Sequence, residues 1–162
     1  SKMEKTSKNI LISIFILLLF SLTSAYIVEY FLGHEPCKLC LYQRYPYFIS
    51  IALIFNILIL KKYIKNSLLI LSIVSLFGSI LAFYHFGIEQ GFFSESFICE
   101  ATNLDKNLTK EELLSQLSTT IVSCKDVTFS FYGFSLASIN TIFSFILFCI
   151  FIILFKNYEK NR

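Results

Sequence analysis

The chain has 162 residues, of which 56% are hydrophobic and only 15% charged, and its mean hydropathy is +0.69. This balance excludes an ordinary soluble domain and places the chain in lipid, with enough length for one domain. A net charge of +3 is too small to suggest a nucleic-acid partner, so where the charges sit matters more than their sum.

Ser1 and Lys2 precede Met3, a natural start residue, and carry no weight in the reading. Lys5 and Lys8 then lead into the first apolar run, about residues 10–28. A cleavable signal peptide has the same opening and would end at Ser24-Ala25. The run continues through Tyr26, Ile27 and Val28, longer than a signal peptide's apolar core, which favours an uncleaved span. Further runs follow at about 41–60, 68–86 and 134–155. Each is close to the length a helix needs to cross about 30 Å of hydrocarbon. No repeat or low-complexity linker interrupts them. The expected fold is therefore all-α: a single membrane domain over residues 1–162, built as an antiparallel four-helix bundle.

The flanking cations predict the orientation. Lys2, Lys5 and Lys8 precede the first span; Lys61, Lys62 and Lys65 follow the second; Lys156, Lys160 and Arg162 follow the fourth. With four spans, all three groups fall on one side, so both termini are expected in the cytoplasm. The connections at about 29–40 and 87–133 then face outward, and in the second of these seven acids outweigh Lys106, Lys110 and Lys125.

The first outer connection carries Pro36-Cys37-Lys38-Leu39-Cys40-Leu41-Tyr42-Gln43-Arg44, and the second carries Cys99 and Cys124. All four thiols are thus expected where disulfides persist. Four cysteines allow three pairings. Cys37 with Cys40 and Cys99 with Cys124 is the simplest, and exchange between the pairs is equally permitted. Two inert staples fit poorly, because closing a two-residue gap removes little chain entropy. A four-cysteine zinc site would need a second close pair, whereas Cys99 and Cys124 are far apart in sequence. A reversible redox couple fits best, with no metal expected.

Pro46 to Leu60 is too short to span the bilayer, about 22 Å at ~1.5 Å per residue. The second helix should therefore begin near Cys40 and run through a kink at Pro46. Cys40 and Arg44 then share a face at i and i+4. A thiol at a helix N-terminus beside a guanidinium has a stabilised thiolate. At that depth a lipid-soluble acceptor such as a quinone can reach the sulfur, although an interfacial arginine also snorkels to headgroups for no catalytic reason.

In the long connection, Thr109-Lys110-Glu111-Glu112 is a capping box leading into Leu113, Leu114 and Leu117, which predicts a short amphipathic helix. It separates Cys99 from Cys124, and both cysteines lie in polar surroundings, so this pair is expected to be mobile and accessible to another protein. The plainer readings go to the remaining candidates. His85 is an interfacial histidine bonded to a carbonyl, His34 and Glu35 are solvated, Glu29 is hydrated at the interface, and Cys149 is a buried small hydrophobe.

Taken together, C-K-L-C-L-Y-Q-R at the second span, Y-H-F-G-I-E-Q-G after the third, the two loop cysteines and F-Y-G-F-S-L-A-S-I-N opening the fourth resemble the bacterial disulfide bond formation protein B (DsbB) family. The resemblance covers nearly the whole chain. It implies an inner-membrane oxidase that reoxidises a periplasmic DsbA-like thioredoxin-fold protein and passes electrons to ubiquinone or menaquinone. By this resemblance Cys99 receives the partner's attack, Cys124 is released and passes the electron pair to Cys37, and Cys40 delivers electrons to the quinone held by Arg44. Two other classes compete. A vitamin K epoxide reductase-like enzyme would carry its C-x-x-C later in the chain, and a non-catalytic tetraspan protein would use its disulfides only as staples.

Overall fold

The computed structural model describes residues 3–94, 109–111, 114, 123–127 and 129–161. Among the described residues, four helices are long and apolar enough to cross a membrane: Lys5–Tyr30, Lys38–Leu60, Ile64–Glu89 and Leu136–Lys160. The first is α1. The second divides into α2 (Lys38–Tyr42), α3 (Arg44–Phe55) and a π-helical turn (Asn56–Leu60), while Ile64–Glu89 is α4 and Leu136–Lys160 is α5. The first three helices outrun their apolar segments at the ends that polar residues extend, whereas the fourth starts two residues late, at Leu136, and runs on to Lys160. The 26 residues of α1 rise about 39 Å, against about 30 Å of bilayer core.

The second span departs from expectation in a way that shapes the site. Its helix starts at Lys38, earlier than Cys40, with Cys37 as N-cap and the Cys37 sulfur accepting from the Cys40 amide at 3.4 Å. The break falls at Gln43 rather than at Pro46 itself. A proline lacks an N–H and its ring opposes the carbonyl four residues earlier, here Tyr42, so the interruption appears one turn upstream.

A two-residue hairpin pairs β1 (Ser130–Phe131) with β2 (Phe134–Ser135), an addition to the expected all-α fold. Tyr132 and Gly133 both have positive φ, the combination a tight two-residue hairpin turn requires. Ser135 then caps α5, its hydroxyl accepting from the Ser138 amide at 3.3 Å. Of the expected amphipathic loop helix, Lys110, Glu111 and Leu114 are helical, and the rest of that segment lies outside the described residues.

Leu11, Ile14 and Leu18 of α1, Ile54 and Ile57 of the second span, Leu68 and Leu71 of α4, and Leu147, Phe151 and Leu154 of α5 form one buried core. Small residues on α4, namely Ser72, Ser75, Gly78, Ser79 and Ala82, are buried where backbones approach, and the Ser79 hydroxyl donates to the Thr141 carbonyl of α5 at 3.0 Å. Such contacts replace the hydrophobic drive that is missing between helices in lipid. Phe20, Phe77, Ile80, Ile142, Phe145 and Ile153 point outward, an apolar exterior suited to acyl chains. Cys149 is exposed on that exterior, which corrects its reading as buried.

Candidate functional site

At one end of the bundle, α2 presents Cys37 and Cys40 toward α4. Their sulfurs are 3.1 Å apart and both are free thiols. Cys37 is buried in a small apolar cluster with Leu39, Ile88 and Cys124. Cys124 is fully buried and disulfide-bonded, which corrects the expectation of an accessible, mobile residue. Its packing against Leu39 and Ile88 removes it from solvent even though its sequence neighbours are polar. Cys99 lies outside the described residues.

His85, on α4, faces the same sulfurs: its Nε2 is 3.6 Å from the Cys37 sulfur and 3.5 Å from Glu89 Oε1. The Cys124 backbone also hydrogen-bonds this imidazole, so the expected carbonyl partner is one contact among several. On the other side of the ring, the Gln43 side-chain amide donates to Nδ1 at 2.7 Å. Asn140 of α5 donates to Gln43 Oε1 at 2.8 Å, and the hydroxyls of Tyr47 and Ser144 donate to Asn140 Oδ1. Three helices thus converge on one buried polar chain.

The Cys37 thiol is held far below its usual 9.0, at about 5. A hydrogen bond from the Cys40 thiol lowers it most, burial opposes this, and a hydrogen bond from His85 lowers it further. The thiolate of the reduced pair therefore belongs to Cys37, with Cys40 as its donor, whereas the sequence suggested Cys40. Arg44, which the sequence set beside Cys40, is engaged elsewhere. Its Nη1 is 2.7 Å from Glu29 Oε2, and its guanidinium lies 4.5 Å from the Tyr26 ring centroid. Glu29 is accordingly an ion-pair partner and not a merely hydrated residue.

A cavity of about 580 Å³ opens between the helices, lined by Cys37, Cys40, Arg44, Tyr47, His85 and Asn140 among mostly apolar neighbours from α1 and α5. His34 reaches it too, packed edge-on against Phe129 with centroids 5.4 Å apart, rather than standing free in solvent. Cys37, Cys40 and His85 also offer three ligand atoms within 4.8 Å, a set that suits a thiophilic metal. The amide donated to Nδ1 argues against that use, since it places the imidazole proton on Nε2, the atom that would have to bind the metal.

The model of the family described as Disulfide bond formation protein DsbB matches residues 7–154. The chain belongs to the DsbB family. An uncharacterized protein of Rickettsia prowazekii (strain Madrid E) is 31% identical to it over 146 residues, 89% of this chain and 84% of the relative. No solved structure matches. Membership of the DsbB family makes this a membrane protein of disulfide-bond formation, with thiol oxidoreductase chemistry, and the match includes the sequence positions of all four candidate cysteines. Gln43, Asn140, Glu29 and Glu89 were not singled out as functional from sequence. The available signal was their polarity at or within membrane spans, where an unpaired polar group is costly.

Proposed function

We propose that this protein is a thiol:quinone oxidoreductase of the bacterial inner membrane. It reoxidises a periplasmic DsbA-like thioredoxin-fold protein and uses ubiquinone or menaquinone as acceptor. The observation that carries the reading is the adjacency of two redox elements. The free Cys37–Cys40 pair borders an apolar cavity on one side and the disulfide-bonded Cys124 on the other.

The cavity's size, apolar walls and few polar groups fit a planar ring with two carbonyl oxygens, and Arg44, Gln43 and Asn140 are the donors available to hold it. A bound quinone supplies a two-electron, two-proton acceptor. The chain's own residues do the thiol chemistry. A partner thiolate attacks Cys99 of a Cys99–Cys124 disulfide, forming a mixed disulfide and releasing Cys124 as thiolate; the partner's second thiol then resolves it. Cys124 packs beside Cys37, so its thiolate is positioned to attack a Cys37–Cys40 disulfide at Cys37 and release Cys40. When Cys99 resolves that bond, the loop disulfide reforms and the inner pair is left reduced. Reoxidation of Cys37 and Cys40 gives up two electrons and two protons. The outward placement of both cysteine-bearing connections, with cytoplasmic termini, is part of this proposal and rests on the lysine distribution.

The test is quinone reduction by the purified protein supplied with a reduced thioredoxin-fold oxidant. Stoichiometric quinol formation is expected, with Cys40→Ser blocking it and Cys124→Ser trapping a mixed disulfide through Cys99. Undiminished partner oxidation after replacement of both Cys99 and Cys124 would reduce that pair to a staple and sink the relay.

A further inference from the structure

The hydrogen bonds that meet at His85 have a direction. The Tyr47 and Ser144 hydroxyls donate to Asn140 Oδ1, the Asn140 amide donates to Gln43 Oε1, and the Gln43 amide donates to His85 Nδ1. Asn140 turns its oxygen to the two hydroxyls and its nitrogen to Gln43, and Gln43 turns its oxygen to Asn140 and its nitrogen to the imidazole. The neutral ring is left with its one proton on Nε2, the atom facing the Cys37 sulfur and Glu89.

We infer that Gln43, Asn140 and Tyr47 are positioning residues, a chain of hydrogen bonds that holds His85 as the Nε2–H tautomer aimed at Cys37. The inference rests on the proposed redox role of the Cys37–Cys40 pair and adds the device that readies it. A buried thiolate needs a donor, and an imidazole offers one only on its protonated nitrogen. The opposite tautomer would turn a lone pair toward the sulfur and repel the developing charge. The choice is made away from the sulfur, by an amide of the neighbouring span that is itself set by α5. Gln43 is only 8% exposed and sits at the break between α2 and α3, so the kink also places the amide that sets the ring.

Around the ring stand Cys37, Cys40, Glu89 and the Cys124 backbone, with Tyr47 further along the chain and Arg44, paired with Glu29, also lining the cavity. Among the described residues, Glu89 Oε2 is buried without a hydrogen-bond partner. The Cys37 sulfur and Glu89 Oε1 both lie within reach of Nε2.

The experiment is long-range proton–nitrogen NMR on the reduced full chain labelled in histidine nitrogen, recorded at about pH 9, above the ordinary imidazole range, and assigned with His34→Ala. The wild type is expected to show a bare Nδ1 and a protonated Nε2 for His85. In Asn140→Asp the carboxylate cannot donate, Gln43 turns over, and Nδ1 is expected to gain a proton. In Gln43→Leu, which leaves Nδ1 without a donor, the preference is expected to be lost and Nδ1 to carry a proton in part of the population. A protonated Nδ1 in the wild type, or an Asn140→Asp spectrum unchanged from it, would overturn the inference. The tautomer is read without quinone or partner protein, so loss of quinone reduction alone leaves this inference standing while it removes the proposed function.

Discussion

Cys37 combines two properties that usually oppose each other, burial and an easily formed thiolate. Its 4% exposure should push a thiol upward, yet the Cys40 and His85 hydrogen bonds outweigh that and hold it at about 5. Thiolate absorbance of the reduced protein should accordingly rise as pH passes through about 5, in a step lost in Cys37→Ser. The stability consequence has a definite sign. The folded value lies below the ordinary 9.0, so the stabilisation of the reduced protein is full above about 9 and is lost as pH falls toward about 5. Denaturant titrations of reduced protein across that window should follow this trend, and oxidised protein should lack it. A reduced protein whose stability was flat over the window would remove the thiolate from Cys37. At Arg44, the Glu29 pair is mostly shielded, with side-chain exposures of 13% and 16%. Arg44→Gln should raise the apparent quinone KM roughly 10- to 100-fold through loss of a charge-assisted hydrogen bond. Its exchange between partner and loop cysteines should stay largely intact, and an unchanged quinone titration would return Arg44 to pairing with Glu29 alone.

At the scale of elements, the interrupted second span is what gathers the site. Pro46 is buried against Gly78 of α4, where an added Cβ would lie 3.3 Å from the proline's own Cβ. The two helices therefore meet at a position that accepts no larger residue without movement. Gly78→Val should force α3 and α4 apart, lowering stability by about 1–3 kcal/mol. Thermal unfolding in detergent measures this, and an unchanged midpoint would mean the contact can relax freely. Gly87 poses a similar constraint beside the redox pair, since a Cβ there would strike the Phe93 ring. The chain is thus tightly folded back over the end of α4 that carries His85.

For the whole molecule, the apolar exterior and the enclosed polar chain describe a protein that keeps its chemistry between helices and its inert surface toward lipid. Cys149 supplies an internal control for that arrangement, being an exposed thiol in the middle of α5. A membrane-permeant maleimide should label Cys149 in intact membranes while a charged, impermeant one does not. After mild reduction, the impermeant reagent applied from the periplasmic side should reach cysteines of the two outer connections, with terminal tags remaining cytoplasmic. Labelling of those cysteines only from the cytoplasm would reverse the orientation and with it the access of a periplasmic partner.

Composition and run length were sufficient to read four spans, because the cost of exposing backbone or charge to hydrocarbon applies residue by residue along the chain. The C-x-x-C pair, the four-residue register to Arg44 and the family resemblance were equally legible, all being patterns of local spacing. The spans are apolar nearly all round, so the sequence carries no clear stripe to say which face meets another helix and which meets lipid. That ambiguity let Cys149 pass as buried and left His85 and Glu29 as interfacial bystanders. Only packing brought His85 to Cys37 across 48 residues and Asn140 to Gln43 across 97. Helix rotation about each axis decides those contacts. In lipid it is set by small residues and cross-helix hydrogen bonds, whose partners become visible only in the folded chain.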